Sequence, residues 1–259
     1  LPDIAVNKTL TLIRYEMKNQ WLSSSTYVAA VVFLVPMILF YWEIIKDYSE
    51  KDHAEMAMVM FFRLFWIPNL FVVPLLTMKC IAEERRLGTL ETMMTMPISA
   101  MQLVFSKFVS AMFVYTVLWL MAASFPFITA WVVPSIGGLD QLVSRSSLIG
   151  CLVFVLISGA SYISIGVMSS SLTRSQLVAG MLSFTGVFIA TITGTFLADS
   201  LVEQGALYSN MRDFIGYLQT FDHFEWFSQG VLDLKPFIFY VSVTAVMLII
   251  AASVVDRKT

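Results

Sequence analysis

The chain runs to 259 residues, with 58% hydrophobic side chains, only 13% charged ones and a mean hydropathy of +0.79. Soluble domains carry about 25% charge, so this composition excludes a water-covered surface, a disordered chain and a collagen-like repeat, and identifies an integral membrane protein. The net charge of −2 gives no footing for a nucleic-acid partner, and the two cysteines, Cys80 and Cys151, lie in apolar runs and read as packing thiols.

Residues 1–25 come first. Val6, Leu10, Ile13, Met17 and Trp21 recur at helical spacing, with Lys8, Lys18, Asn19 and Gln20 away from that face. Such a helix lies in the inner membrane interface or packs on a soluble partner. Ser23–Ser25 separates it from the first span, and no cleavable signal peptide is expected ahead of that span.

A bilayer core about 30 Å thick needs roughly 20 apolar residues in a helix. Six segments qualify: 26–45, 56–82, 105–133, 147–171, 177–198 and 236–255. The fold expected is therefore an all-α membrane protein with six transmembrane helices in one domain. Arg63 is the one charge clearly inside a span, away from the span ends. It either snorkels outward or pairs with Glu43 or Glu55, or else it serves a substrate path. Pro68, Pro74 and Pro126 predict kinks. Ser158, Gly159, Ser161, Ser164 and Gly166 read as packing residues of the fourth span.

With the N-terminus inside, ten Lys and Arg residues fall on the cytoplasmic side and five outside. The positive-inside rule then puts both termini in the cytoplasm.

Between the second and third spans, residues 83–99 leave the membrane. Glu83, Glu84, Arg85 and Arg86 are expected to continue the second helix, and Gly88 to stop it. Thr89 is placed to cap a new short helix, with Glu91 at its positive end. Leu90, Met93 and Met94 share one face, and Pro97 ends the segment. A helix this short draws its stability from tertiary packing, and an apolar face outside the membrane calls for a partner's groove.

The outer loops Lys46–Glu55 and Pro134–Arg145 are short, whereas 199–235 is long and aromatic. Asp222 with Glu225 fits an N-cap and its acidic N3 residue, starting a helix that carries Phe224, Phe227 and Val231 on one side. The segment reads as two short outer-leaflet helices broken near Thr220–Asp222, or as an aromatic belt.

Chemistry-bearing motifs are missing. His53 and His223 are the only histidines and stand apart from any cysteine, so no metal set forms, and no histidine lies near Ser161 to activate its hydroxyl. No Gly-Lys dipeptide occurs, which rules out a phosphate-binding Walker loop. ATP used by this chain is bound by another.

The run Glu83-Glu84-Arg85-Arg86-x-Gly88-Thr89-x-Glu91-x-Met93-Met94-x-x-Pro97-Ile98-Ser99 resembles the cytoplasmic signature of ABC-2 type permeases, with the methionine pair in place of the usual leucines. The ending His223-Phe224-Glu225-x-Phe227-x-x-Gly230-Val231-Leu232-Asp233 is similar to the gliding-motility-associated branch of that family. The resemblance implies the permease subunit of an ATP-driven exporter, non-enzymatic itself. It pairs with a second permease chain and two copies of an ABC ATPase that hold ATP and magnesium, in a bacterial inner membrane.

The same resemblance implies roles for particular residues. Coupling to the ATPase falls to Glu84, Arg85, Gly88, Thr89, Leu90, Glu91, Met93, Met94 and Pro97. The translocation path between spans two and five takes Phe62, Arg63, Phe65, Asn69, Thr185, Thr191 and Thr195. An outer gate takes Phe221, Phe224 and Phe227. The alternative is a membrane scaffold that transmits ATPase motion to an accessory protein on the outer side without passing substrate.

Overall fold

Hydrocarbon offers backbone amides no hydrogen bonds, so apolar runs of this length satisfy them internally as helices. The computed structural model, which describes residues 2–50, 57–95, 98–132, 144–203, 219–231 and 233–257, is helical throughout its ordered elements. In chain order these are α1 (Pro2–Leu22), α2 (Ser24–Glu50), α3 (Ala57–Arg63), α4 (Trp66–Thr77), α5 (Ala82–Leu87) and α6 (Thr89–Met94). They continue as α7 (Ala100–Ala123), α8 (Phe125–Val132), α9 (Arg145–Leu172), α10 (Gln176–Glu203), α11 (Thr220–Ser228) and α12 (Leu234–Arg257). Six segments among the described residues are long and apolar enough to cross a membrane: Ser24–Asp47, Trp66–Leu87, Ala100–Val132, Arg145–Leu172, Gln176–Gly194 and Leu234–Arg257.

Several boundaries differ from the sequence-based expectation, each for a local reason. Helix α2 runs on through Glu50, so the start of the expected Lys46–Glu55 loop is helical. The second span is broken at Leu64–Phe65. Pro68 has no N–H for the Leu64 carbonyl, and the Ile67 N–H takes that carbonyl at 3.2 Å in a tighter turn. The third span bends at Ser124, whose N–H is shared between the carbonyls of Met121 and Ala122; the latter is the one that Pro126 leaves without its helical donor.

The charged run 83–86 does not simply prolong the second helix. The chain turns at 78–81 and restarts as α5. The Ser170 hydroxyl, from the end of α9, makes the restart affordable: it accepts from the N–H groups of Ile81 (3.1 Å) and Ala82 (3.0 Å) and donates to the Met78 carbonyl (3.3 Å). The orphan donors of a new helix end are thereby satisfied from a neighbouring span.

Helix α9 is the inner pillar, packed against α7, α10, α11 and α12. Its small residues permit the contact. A Cβ at Gly159 would fall 2.2 Å from the Tyr115 ring, and one at Gly166 would fall 2.3 Å from the Thr77 hydroxyl. Ser158, Ser161 and Ser164 are buried and return their hydroxyls to carbonyls of their own helix. That is the packing role read from the sequence. Spans α2, α10 and α12 instead turn rows of apolar side chains outward, among them Val31, Val35, Phe188, Ile238 and Ile249, as lipid-facing helices do.

Candidate functional site

The signature segment is built around one glycine. Gly88 adopts φ +72°, the left-handed conformation that only glycine reaches without strain, and its N–H closes α5 on the Glu84 carbonyl. The hydroxyl of Thr89 donates to that same carbonyl at 3.2 Å. The expectation that Thr89 caps the following helix is thus corrected: it finishes α5, adding a second donor to the Glu84 carbonyl that already accepts from the Gly88 N–H. Helix α6 has Gly88 at its N-cap, with Glu91 in the first turn.

The apolar face of α6 also needs correction. Leu90 is buried, at 3% exposure, inside this chain's own core, and Met93 and Met94 are half-buried against it. The groove expected from a partner is supplied largely by this chain itself. What α6 turns outward is polar: Glu91, Thr92 and Thr95. Pro97 lies outside the described residues.

Behind α5 stands a buried ionic cluster that connects three elements. Lys107 of α7 places its Nζ 3.1 Å from Glu16 Oε1 of α1 and 2.5 Å from Glu84 Oε1 of α5. Lys107 and Glu16 are almost fully enclosed, and Glu84 is partly buried. Desolvating such ions costs several kcal/mol each, offset only by close pairing. Removing any one member therefore strands the others. The second Glu84 oxygen, Oε2, is buried with no protein partner. A cavity of about 1240 Å³ opens beside the cluster, lined by Glu16, Glu84, Lys107, Tyr15, Gln20 and Met93 among others.

The same contacts orient α1. Thr9 accepts from the Gln102 side-chain amide at 3.1 Å, Glu16 meets Lys107, and Gln20 donates to the Leu76 carbonyl at 3.0 Å. A polar face docks on the bundle, while Leu10 and Trp21 stay exposed. Within the apolar stripe read from the sequence, Ile13 and Met17 are half-buried, and Trp21 touches Phe113. The start of α7 is held by a capping box in which Ser99 and Gln102 exchange hydrogen bonds.

The path candidates separate into two groups. Phe62, Phe65, Asn69 and Thr191 are buried within the chain: Phe62 stacks on Trp119, Phe65 on Phe224, and Asn69 accepts from the Tyr115 hydroxyl at 3.1 Å. Arg63 and Thr185 are exposed, and the Thr195 side chain lies outside the described residues. Beside Thr185, spans two and five present an aromatic surface that sequence reasoning missed, in which Phe71 meets Phe184 and Phe184 stacks on Phe188.

At the opposite end, α11 begins at Thr220 rather than at an Asp222 cap; Asp222 sits in its first turn. The earlier start buries Thr220, whose hydroxyl reaches the Ala190 carbonyl, along with His223, Phe224 and Phe227. Phe224 and Phe227 pack on Phe154 of α9, and half-buried Phe221 on Phe65 and Trp66. The other expected outer helix lies outside the described residues.

Lys107 and Glu16 were not singled out from the sequence. Lys107 follows Glu84 by 23 positions and Glu16 by 91, and no periodic pattern connects them; the one available signal was a lysine at the mouth of an otherwise uncharged span.

Residues 11–258 match the family model described as ABC-2 family transporter protein. The match is to the family as a whole and gives no support to its gliding-motility branch. Comparison with curated proteins gives no match.

Proposed function

The chain belongs to the ABC-2 transporter family, and from that premise we propose that it is the permease half of an ATP-driven exporter in a bacterial inner membrane. In this reading both termini and α6 face the cytoplasm. Two copies of a separate ATPase bind ATP and magnesium, and a second permease chain completes the path. The polar outer face of α6 (Glu91, Thr92, Thr95) meets the ATPase.

The observation that carries the reading is the Glu84–Lys107–Glu16 cluster. It ties the arm that bears α6 to a membrane span and to the interfacial helix, so a push on α6 moves the two together rather than bending a loose loop. The substrate surface is the exposed aromatic strip of Phe71, Phe184 and Phe188 with Thr185, which faces the second permease chain across the path. Helix α11, wedged by Phe224 and Phe227, closes the outer end. The test is ATP-dependent accumulation of candidate substrates in inverted vesicles that contain the permease and its copurifying ATPase. Flux lost on Phe184→Ala with ATPase binding intact supports the exporter. ATP hydrolysis stimulated by the permease with no flux of any substrate makes the chain a scaffold.

A further inference from the structure

A second concavity, of about 670 Å³, is formed at α5 and α6 and has a different character from the ionic cluster. Arg85, Arg86 and Arg174 line it, with Glu91 as the only acid, and Leu87, Gly88, Leu90 and Leu172 complete its walls. Arg85 is held in place: its Nη1 donates to the Ser171 carbonyl at the end of α9, while its Nη2 is buried with no protein partner. Arg174, in the turn between α9 and α10, is near enough for its charge to act on Arg85. Among the described residues neither forms an ion pair, and Arg86 has only a long contact of 3.8 Å to Glu83.

Guanidinium groups brought together without a carboxylate between them repel, and the arrangement is relieved by an anion with several acceptor oxygens. A phosphate, like a carboxylate, matches the planar fork of arginine, and it brings more acceptor oxygens to share among several guanidinium groups. The surroundings select the source. The pocket opens where the ends of two apolar spans meet the interface, and Leu87, Leu172 and Leu177 beside it are exposed. An acidic protein side chain has no use for that leucine rim, whereas a glycerol backbone and the start of its acyl chains do. Basic pockets between spans on the cytoplasmic side suit anionic head groups.

We propose that Arg85, Arg86 and Arg174 form a binding site for the phosphate of an anionic phospholipid of the inner leaflet. The site rests on the cytoplasmic placement of α5 and α6 in the reading above. It gives Arg85 a lipid ligand rather than an ATPase contact. A bound head group would hold α5, and through Gly88 α6, at a set height relative to the membrane surface.

The test uses the full-length purified permease, with retention of phosphatidylglycerol and of phosphatidylcholine measured by native mass spectrometry, and thermal melting measured with each lipid and with inorganic phosphate. Arg174→Gln is the main variant, since Arg174 is exposed and makes no structural bond among the described residues. Arg85→Gln/Arg174→Gln extends it, and Arg145→Gln, at the far end of α9, is the control. The expected result is preferential retention of phosphatidylglycerol, weakened about tenfold or more by Arg174→Gln and unchanged by Arg145→Gln. Equal retention in wild type and Arg174→Gln overturns the site. Stabilisation by inorganic phosphate with none from phosphatidylglycerol overturns the lipid assignment. Loss of ATPase copurification with lipid retention intact makes the pocket an ATPase contact and overturns it too. Lipid retention needs no ATPase, so failure here leaves the exporter reading standing.

Discussion

Lys107 and Glu16 meet at 3.1 Å across the contact of the third span with the N-terminal helix, both almost wholly removed from solvent. Glu84 shares the same ammonium group, so one lysine holds two carboxylates that would otherwise repel. Lys107→Met should cost the isolated permease about 3–5 kcal/mol, the usual penalty for stranding buried charges, read as a large drop in melting temperature in detergent. Replacing all three residues by leucine should recover most of that stability, because apolar groups often substitute for buried ion pairs without loss. It should still uncouple the ATPase. Full coupling in the triple variant would remove the cluster from the transmission route.

Leu90 separates intrachain packing from partner binding. Buried in this chain's own core, it should matter in the absence of any ATPase. Leu90→Ala is expected to destabilise the permease alone by about 2–5 kcal/mol. Glu91→Gln and Thr92→Ala, on the outward face, should leave permease melting unchanged and weaken ATPase copurification. If Leu90→Ala melts like the wild type, the leucine is not packed as described.

The fold and the site were legible to different degrees because they depend on different physics. Span positions follow from apolar length, and the stop at Gly88 from a conformation that favours one residue type, so both are local and readable. The turn at 78–81 depends on the Ser170 hydroxyl, and the burial of Leu90 on its place in the chain's core. Both require knowing which spans are neighbours. Lys107 was counted only as a charge favouring one side of the membrane, since nothing around it in the chain announces two carboxylate partners.

Gly150 should be intolerant of any side chain. A Cβ there would stand 1.8 Å from the Phe227 carbonyl oxygen, a backbone atom with no room to yield. Gly150→Ala is therefore expected to push α11 off α9. With Cys80 and Cys151 replaced, cysteines at Phe224 or Phe227 should resist an impermeant thiol reagent, both positions being buried, and should become reactive once Gly150→Ala is added. Rapid labelling without that change would show that α11 is not docked.

His223 makes α11 sensitive to acid. Burial lowers its proton affinity below the ordinary value of about 6.5, with Asp233 opposing the shift, and its Nδ1 lies 3.4 Å from the Tyr240 hydroxyl. The unfolded chain then binds a proton more readily than the folded one, so stability rises with pH across the interval between the two values. The contribution is complete above about 6.5 and is lost as the pH falls through the lowered folded value. His223→Gln, which keeps a polar partner for Tyr240 but does not titrate, should flatten this part of the profile. Melting curves of the purified permease at a series of pH values, wild type against His223→Gln, give the comparison. The wild type should lose more stability on acidification than the variant; parallel profiles would mean that His223 takes up its proton in the folded protein as easily as in the unfolded chain.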